Sequence, residues 1–270
     1  MSKRMLIAPL ALASMFSSSA SPRATVPAAP PVRNVLLVHG AYADGSSFGK
    51  VIPLLRARGL NVVAVQNPLT SLSDDVAATR RAIARQTGPV ILVGHSSAGV
   101  VITEAGNDPR VVGLVYISAI APDAGQTASD ALKGYAPTPG LAEQKPDSAG
   151  YLTITRRGVN EDFVPDLPPA ERELIYTVQG DWNSTFLNEK VTAAAWRTKP
   201  SWFIVVNDRM VSPIYERAAA KLMGATTVSL ASSHVPMLSH PAEVAAVIID
   251  AANKATTTTV KTASTGGAQR

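Results

Sequence analysis

Cysteine is absent from all 270 residues of the chain. Without thiols there is no cysteine nucleophile, no thiolate metal site, no disulfide and no attachment point for a lipoprotein anchor, so stability has to come from a packed core. Charge is also scarce, with Asp, Glu, Lys and Arg at 17% of the chain against 46% hydrophobic residues, a balance too apolar for a disordered protein. No uninterrupted apolar run reaches the roughly 20 residues that span a bilayer. The formal charge is +5, and setting aside Lys3 and Arg4 leaves 23 basic against 20 acidic residues, or +3. The basic residues are scattered apart from pairs such as Arg80-Arg81 and Arg156-Arg157, so no stripe suited to tracking phosphates exists and no nucleic-acid partner is expected. A chain of this length fits one core, with room for an inserted subdomain.

The first twenty residues differ from the rest. Lys3 and Arg4 precede the mostly apolar stretch MLIAPLALASMF, and Ser18-Ser19-Ala20 supplies a small-residue site. This is the pattern of a signal peptide over 1–20, too short for a membrane helix and broken by Pro9. Cleavage is expected near Ala20, with export to the periplasm or the medium and no membrane anchor. A Pro/Ala-rich linker follows over 21–33, and the closing low-complexity stretch over 255–270 is expected to be disordered. No internal repeat is visible.

From Asn34 the sequence alternates short β-branched runs with helix-patterned segments. NVLLV (34–38), NVVAV (61–65), PVILV (89–93), VVGLVYI (111–117), SWFIVV (201–206) and TTVSL (226–230) read as six strands. The central ones are continuously apolar, as strands covered on both faces must be. Between them, FGKVIPLLRARG stops at Gly59, SLSDDVAATRRAIARQTG opens with Ser71 and Asp74 at capping-box spacing, SPIYERAAAKLMG opens Ser-Pro, and PAEVAAVIIDAANK starts at Pro241. Strands alternating with helices predict an α/β domain over 34–254, with a mostly parallel six-stranded sheet and helices on both faces. The alternation breaks once, over about 123–199, a stretch too long for one connection and read as an inserted cap. Within it, YLTIT (151–155) suits a short strand and PPAERELIYTV (168–178) a helix.

Chemistry concentrates in VGHSSAG, Val93 to Gly99. Ser96 lies two residues past Gly94, at the end of a strand, and AGVVITEAG after it reads as a helix. A serine in such a sharp turn is lifted off the sheet, and the residues two before and two after it must be small for strand and helix to pass. Those neighbours are Gly94 and Ala98 for Ser96, but His95 and Gly99 for Ser97, and an imidazole does not fit there. Ser96 is therefore the candidate nucleophile, with Gly99 placed to relieve the extra methyl of Ala98.

A serine hydroxyl needs a base, and the base needs an orienting acid. Of the four histidines, His39 and His95 sit at strand ends in contexts that favour hydrogen bonds to local backbone, and His240 immediately precedes the proline of the last helix. His234, in SLASSHVPML after the last strand, is the candidate base. Asp208, directly after SWFIVVN, is the preferred acid, and Asp123 in AIAPDAG is its competitor. The order Ser96, Asp208, His234 matches that of α/β-hydrolases. Backbone N–H groups of Ala41, in the loop HGAYADGSS, and of Ser97 are the expected oxyanion hole. On this reading position 97 contributes its amide, and its side chain is free to vary.

On these residues the chain resembles the α/β-hydrolase superfamily, and within it the group of plant methyl-salicylate esterases, hydroxynitrile lyases and bacterial carboxylesterases. The resemblance runs from about Asn34 to Lys254 through VLLVHGAYADGSSF, VILVGHSSAGVV, NDRMVSP and SSHVPML-HP, and it is weak in the cap. In that group residue 97 is often aromatic and residue 98 usually glycine, so Ser97 and Ala98 depart from it. The lyases place a threonine where Gly40 stands and a lysine where Val235 stands; neither mark is present. Related haloalkane dehalogenases and epoxide hydrolases carry an aspartate at the position of Ser96.

The expected activity is that of a serine carboxylesterase, hydrolysing small to medium esters through an acyl-Ser96 intermediate, with no metal or organic cofactor implied. Phe163, Leu167, Leu174, Ile175, Trp182, Phe186 and Trp196 are available to the cap, most of them expected to pack it onto the body. The same triad could serve amide or carbon–carbon bond hydrolysis or perhydrolysis, and a non-catalytic ligand-binding protein on this fold is a further alternative.

Overall fold

The computed structural model describes residues 32–255, so the expected signal peptide, nearly all of the linker and all but Ala255 of the low-complexity tail lie outside the described residues. Nine strands occur among them. Four come first: β1 (Asn34–Val38), β2 (Asn61–Val65), β3 (Val90–His95) and β4 (Val111–Ile117). Three short strands follow, β5 (Gln144–Pro146), β6 (Tyr151–Ile154) and β7 (Trp182–Asn183), before β8 (Ser201–Val205) and β9 (Thr226–Ser229). The helices are α1 (Ile52–Arg56), α2 (Leu72–Ala84), α3 (Ala98–Ala105), α4 (Ala128–Leu132), α5 (Arg156–Gly158), α6 (Pro169–Val178), α7 (Pro213–Leu222), α8 (Pro236–Ser239) and α9 (Pro241–Lys254).

The six predicted strands form one sheet in the order β2-β1-β3-β4-β8-β9, parallel throughout. Every residue of β1, β3, β4 and β8 is buried, which is the burial a parallel sheet acquires when helices cover both faces. From β1 the chain moves outward to β2, and from β3 it moves the other way to β4, so the winding reverses between β1 and β3. Crevices at such reversals, outside the carboxyl ends of the strands, are where open α/β sheets bind ligands. Val38 of β1 pairs with Gly94 of β3, which puts the loops at Gly40 and Ser96 side by side at that crevice.

Local chemistry sets the helix boundaries. The Ser71 hydroxyl accepts the Asp74 N–H at the start of α2, whose buried face carries Leu72, Val76, Thr79 and Ile83. Ser212 caps α7, and Gly59 and Gly224 adopt φ of +74° and +61° at the ends of their segments. One predicted helix is shortened: within FGKVIPLLRARG only Ile52–Arg56 forms α1, after a 3-10 turn over Gly45–Phe48 that ends at the first residue of that segment. Pro53, which has no N–H to donate, sits in the first turn of α1, where that donor is not needed.

The segment between β4 and β8 carries a separate antiparallel sheet, β5-β6-β7. Alongside it lie α4, α5 with a five-residue π-helical turn over Val159–Phe163, and α6. The strand read at YLTIT and the helix read at PPAERELIYTV correspond to β6 and α6, whereas β5 and β7 are too short to carry a period of their own.

Candidate active site

Ser96 stands between the last residue of β3 and the first turn of α3 with φ +56°. A left-handed conformation at a residue with a side chain costs on the order of 1–3 kcal/mol and persists only when its surroundings fix it. Here the Ser96 N–H donates to Ile117 O at 3.0 Å, and the Ser96 carbonyl accepts from Gly99 N at 3.0 Å and Ile120 N at 3.1 Å. The glycines around it have separate tasks. A Cβ on Gly94 would stand 2.7 Å from Ala98 O, so strand and helix pass only because that side chain is missing. A Cβ on Gly99 would lie 2.3 Å from Ile120 O, which shows that Gly99 seats α3 against the chain leaving β4. Its role is helix seating, not relief of the Ala98 methyl.

Asp208 and His234 meet above the carboxyl ends of β8 and β9. Asp208 Oδ1 accepts the Met210 N–H at 2.6 Å, and Oδ2 lies 2.6 Å from His234 Nδ1. With Nδ1 donating to the carboxylate, Nε2 keeps its lone pair, the tautomer that a general base requires. Both side chains are buried, at 1% and 0% exposure. Ser96 and His234 border the same cavity without a hydrogen bond between them; catalytic contacts of this kind commonly tighten only around substrate. The competing acid, Asp123, lies elsewhere, with its Oδ1 2.6 Å from Arg197 Nε.

The loops carrying these groups are stitched together. Asn207 N donates to Ser232 O at 3.0 Å. His95 Nε2 lies 2.9 Å from the carbonyl of His234, and the two rings stand 4.7 Å apart, so His95 acts at long range, contrary to the local backbone contact expected of it. Burial, together with the adjacent His234, holds the His95 imidazole well below the ordinary histidine range, and its neutral Nε2–H is the donor. His39 does bond nearby backbone, with Nδ1 on Gly40 O at 3.0 Å and Nε2 accepting Asn67 N–H at 2.9 Å. From the inserted segment, Asp166 accepts Ser233 N–H at 2.9 Å, and Asp162 Oδ1 pairs with Arg209 Nε at 2.6 Å. Burial opposes ionisation of Asp166, yet hydrogen bonds from the Ser233 hydroxyl and N–H hold its carboxyl below the usual range. No periodicity or motif in the sequence marks Asp166, and only the fold brings it to Ser233, the residue before His234.

The two expected oxyanion donors are side by side, with one difference from the expectation. Ser97 opens the N-terminal turn of α3, where backbone N–H groups lack intrahelical acceptors and the helix dipole favours negative charge. The Ala41 N–H, however, donates to the Ser97 hydroxyl at 2.9 Å. The side chain at 97 is thus engaged with the loop after β1, and is not free to vary as expected. A Cβ on Gly40 would lie 2.8 Å from both His95 O and Ser96 Cβ, so the backbone at Gly40 passes directly against the nucleophile.

The cavity at Ser96 is walled by Ile120, Leu132, Trp182, Leu187, Met210 and Val211. Tyr42 and Phe163 border both this cavity and a second one lined by Leu174, Ile175, Val178, Val235 and Leu238. Tyr42 is a further residue that the sequence reading missed, held at φ +63° in the loop after β1. Of the apolar candidates in the insertion, Leu167, Phe186 and Trp196 are packed away, Phe163 and Trp182 face Ser96, and Leu174 and Ile175 face the second cavity. No cluster of three or more His, Asp or Glu side chains placed to hold a metal occurs among the described residues.

Known proteins carry the same architecture. The chain is 28% identical over 244 residues to the alpha/beta hydrolase nvfD of Aspergillus novofumigatus, covering 82% of this chain and 97% of that one. It is 29% identical over 255 residues to a pyrethroid hydrolase of Sphingobium wenxiniae, covering 82% and 88%. The crystal structure of polyneuridine aldehyde esterase shares the fold at a TM-score of 0.72 and 18% identity, over 81% of this chain and 98% of that one. Residues 35–247 match the alpha/beta hydrolase family, and with the sheet order and the elbow at Ser96 the conclusion is direct: the chain is a hydrolase that belongs to the alpha/beta hydrolase family.

Proposed function

We propose that the protein is a serine carboxylesterase acting on small to medium apolar esters through an acyl-Ser96 intermediate. The observation that carries this reading is the buried contact between His234 Nδ1 and Asp208 Oδ2 at 2.6 Å, beside a cavity that Ser96 also borders. Ser96 Oγ attacks the ester carbonyl carbon while His234 Nε2 takes its proton, and Asp208 stabilises the imidazolium. The oxyanion of the tetrahedral intermediate accepts from the N–H groups of Ser97 and Ala41, the latter exchanging its bond to the Ser97 hydroxyl for one to the charged oxygen. His234 then protonates the leaving alcohol, and water, deprotonated by the same imidazole, attacks the acyl-enzyme to release the acid and restore Ser96.

The apolar walls around Ser96 favour an uncharged ester, and the adjoining cavity offers room for a second apolar group. Relatives named as a hydrolase and an esterase support the ester reading. Export is part of the same proposal and rests on the signal-like pattern of residues 1–20; N-terminal sequencing of protein recovered outside the cytoplasm, starting near Ser21, would support it. The activity is tested with a chain-length series of p-nitrophenyl and alkyl esters. The Ser96→Ala variant is expected to fold as the parent and to lose about 10^5-fold or more in kcat. A variant that keeps most of the activity would remove Ser96 from the mechanism.

A further inference from the structure

Behind the triad acid lies a second carboxyl group that the mechanism does not use. Glu216 occupies the first turn of α7, where an exposed glutamate would be ionised and favoured by the helix dipole. Here its side chain turns inward, and the residue has 0% exposure. Oε2 accepts the Val206 N–H at 3.2 Å, whereas Oε1 is buried with no donor among the described residues. Val206, which Oε2 contacts, lies two residues before Asp208, and the Asp208 carboxyl is the side-chain neighbour of the Glu216 carboxyl. Two carboxyl groups in contact in a dry site cannot both ionise, and the contact is favourable only if one of them carries a proton.

The hydrogen bonds decide which one. Asp208 already receives two short bonds, from Met210 N–H and from His234 Nδ1, both at 2.6 Å, so each of its oxygens is engaged as an acceptor. Glu216 receives one longer bond and leaves an oxygen unmatched. We propose that Glu216 is a protonated carboxylic acid whose O–H donates to the Asp208 carboxylate, making it a positioning residue for the triad. Asp208 then has three donors, which fix its orientation toward His234. Burial and the neighbouring Asp208 push the Glu216 carboxyl well above the ordinary glutamate range. The other charged or titratable groups facing it are Arg217, which opposes that shift, Tyr215 beside it on α7, and His234 across Asp208.

The inference rests on the triad reading above, so its test has one readout that needs no turnover. Infrared difference spectra of the full-length protein near neutral pH, parent against Glu216→Gln, are expected to show a protonated-carboxyl C=O band that the variant lacks; absence of that band overturns the proposal. In ester kinetics, Glu216→Gln keeps a neutral donor, and the acid limb of kcat/KM should move by less than about 0.3 pH unit. Were Glu216 ionised, the same change would remove a negative charge next to the His234–Asp208 pair and lower that limb by about one unit. Glu216→Leu removes the donor and is expected to lower kcat by about 10-fold to 100-fold with KM within about twofold. A Glu216→Leu variant that only melts earlier at full kcat contradicts the positioning role. A preparation with the infrared band but no ester turnover would sink the esterase reading and leave Glu216 protonated.

Discussion

The six-stranded sheet and the segment inserted between β4 and β8 obey different physics. In the sheet, whole strands are buried, every ladder is parallel, and the groups of the proposed triad stand on the loops just beyond the carboxyl ends of β3, β8 and β9. In the insertion, strands of two to four residues and α6, which has no buried residue, are held by individual contacts such as Asp162–Arg209 and Asp166–Ser233. Exposed Leu174 and Val178 line the second cavity from that helix. On the proposed reading the sheet carries the reacting groups, while the insertion borders the cavity beside them and braces the loops at Asp208 and His234.

The largest break should come on the sheet side. Asp208→Asn leaves the geometry but presents the wrong imidazole tautomer, and kcat is expected to fall by about 10^4-fold. Asp123→Asn, on the Arg197 pair, should leave kcat within about twofold. Equal losses in the two variants, measured on one aryl ester, would overturn the assignment of the acid.

Next in size is the seam where the insertion meets the sheet. Asp75 accepts Leu69 N–H at 2.9 Å, while Leu69 O accepts Asn183 N–H at 2.9 Å from the insertion. Burial raises the Asp75 carboxyl to about 7. A carboxyl raised in the folded state keeps its proton to higher pH than in the unfolded chain, so its contribution to stability is complete below about pH 4 and is lost as pH rises toward about 7. Asp75→Asn should therefore stabilise the protein by about 2 to 4 kcal/mol near and above pH 7 and by nothing below about pH 4. Denaturant midpoints at the two pH values measure this, and an equal shift at both would refute it.

On the insertion side the effects should be smaller. Asp166→Ala frees the loop before His234 and should lower kcat by about tenfold with little change in KM; an effect confined to KM would place Asp166 at the substrate and not behind the histidine. Leu174→Ser, at the mouth, should raise KM for bulky apolar esters by about threefold and leave short acetates unchanged, as a substrate panel will show.

Legibility in the sequence follows the same division. NVLLV, PVILV and VVGLVYI announce buried parallel strands because both faces are covered, and HSS after Gly94 announces a turn that only small neighbours permit. The Ser71 and Ser212 caps are local and therefore readable. What escaped depends on contacts between distant parts of the chain. His95 reaches the carbonyl of residue 234, Asp166 reaches Ser233, the Ser97 hydroxyl takes the amide of Ala41, and Glu216 turns a helix-start carboxylate into the core. The first three have no spacing to betray them. Glu216 alone left a trace, as the one acidic residue on the buried stripe of α7 with Tyr215, Ala219 and Ala220.

The proposed chemistry requires that the Ser96 oxygen be the activated nucleophile. Treating the protein with a fluorophosphonate and mapping the adduct by mass spectrometry tests this without any choice of ester. One adduct per chain is expected, on Ser96, absent in Ser96→Ala and formed far more slowly in His234→Ala. A stoichiometric adduct on Ser97, or labelling that proceeds at the parent rate without His234, would contradict it.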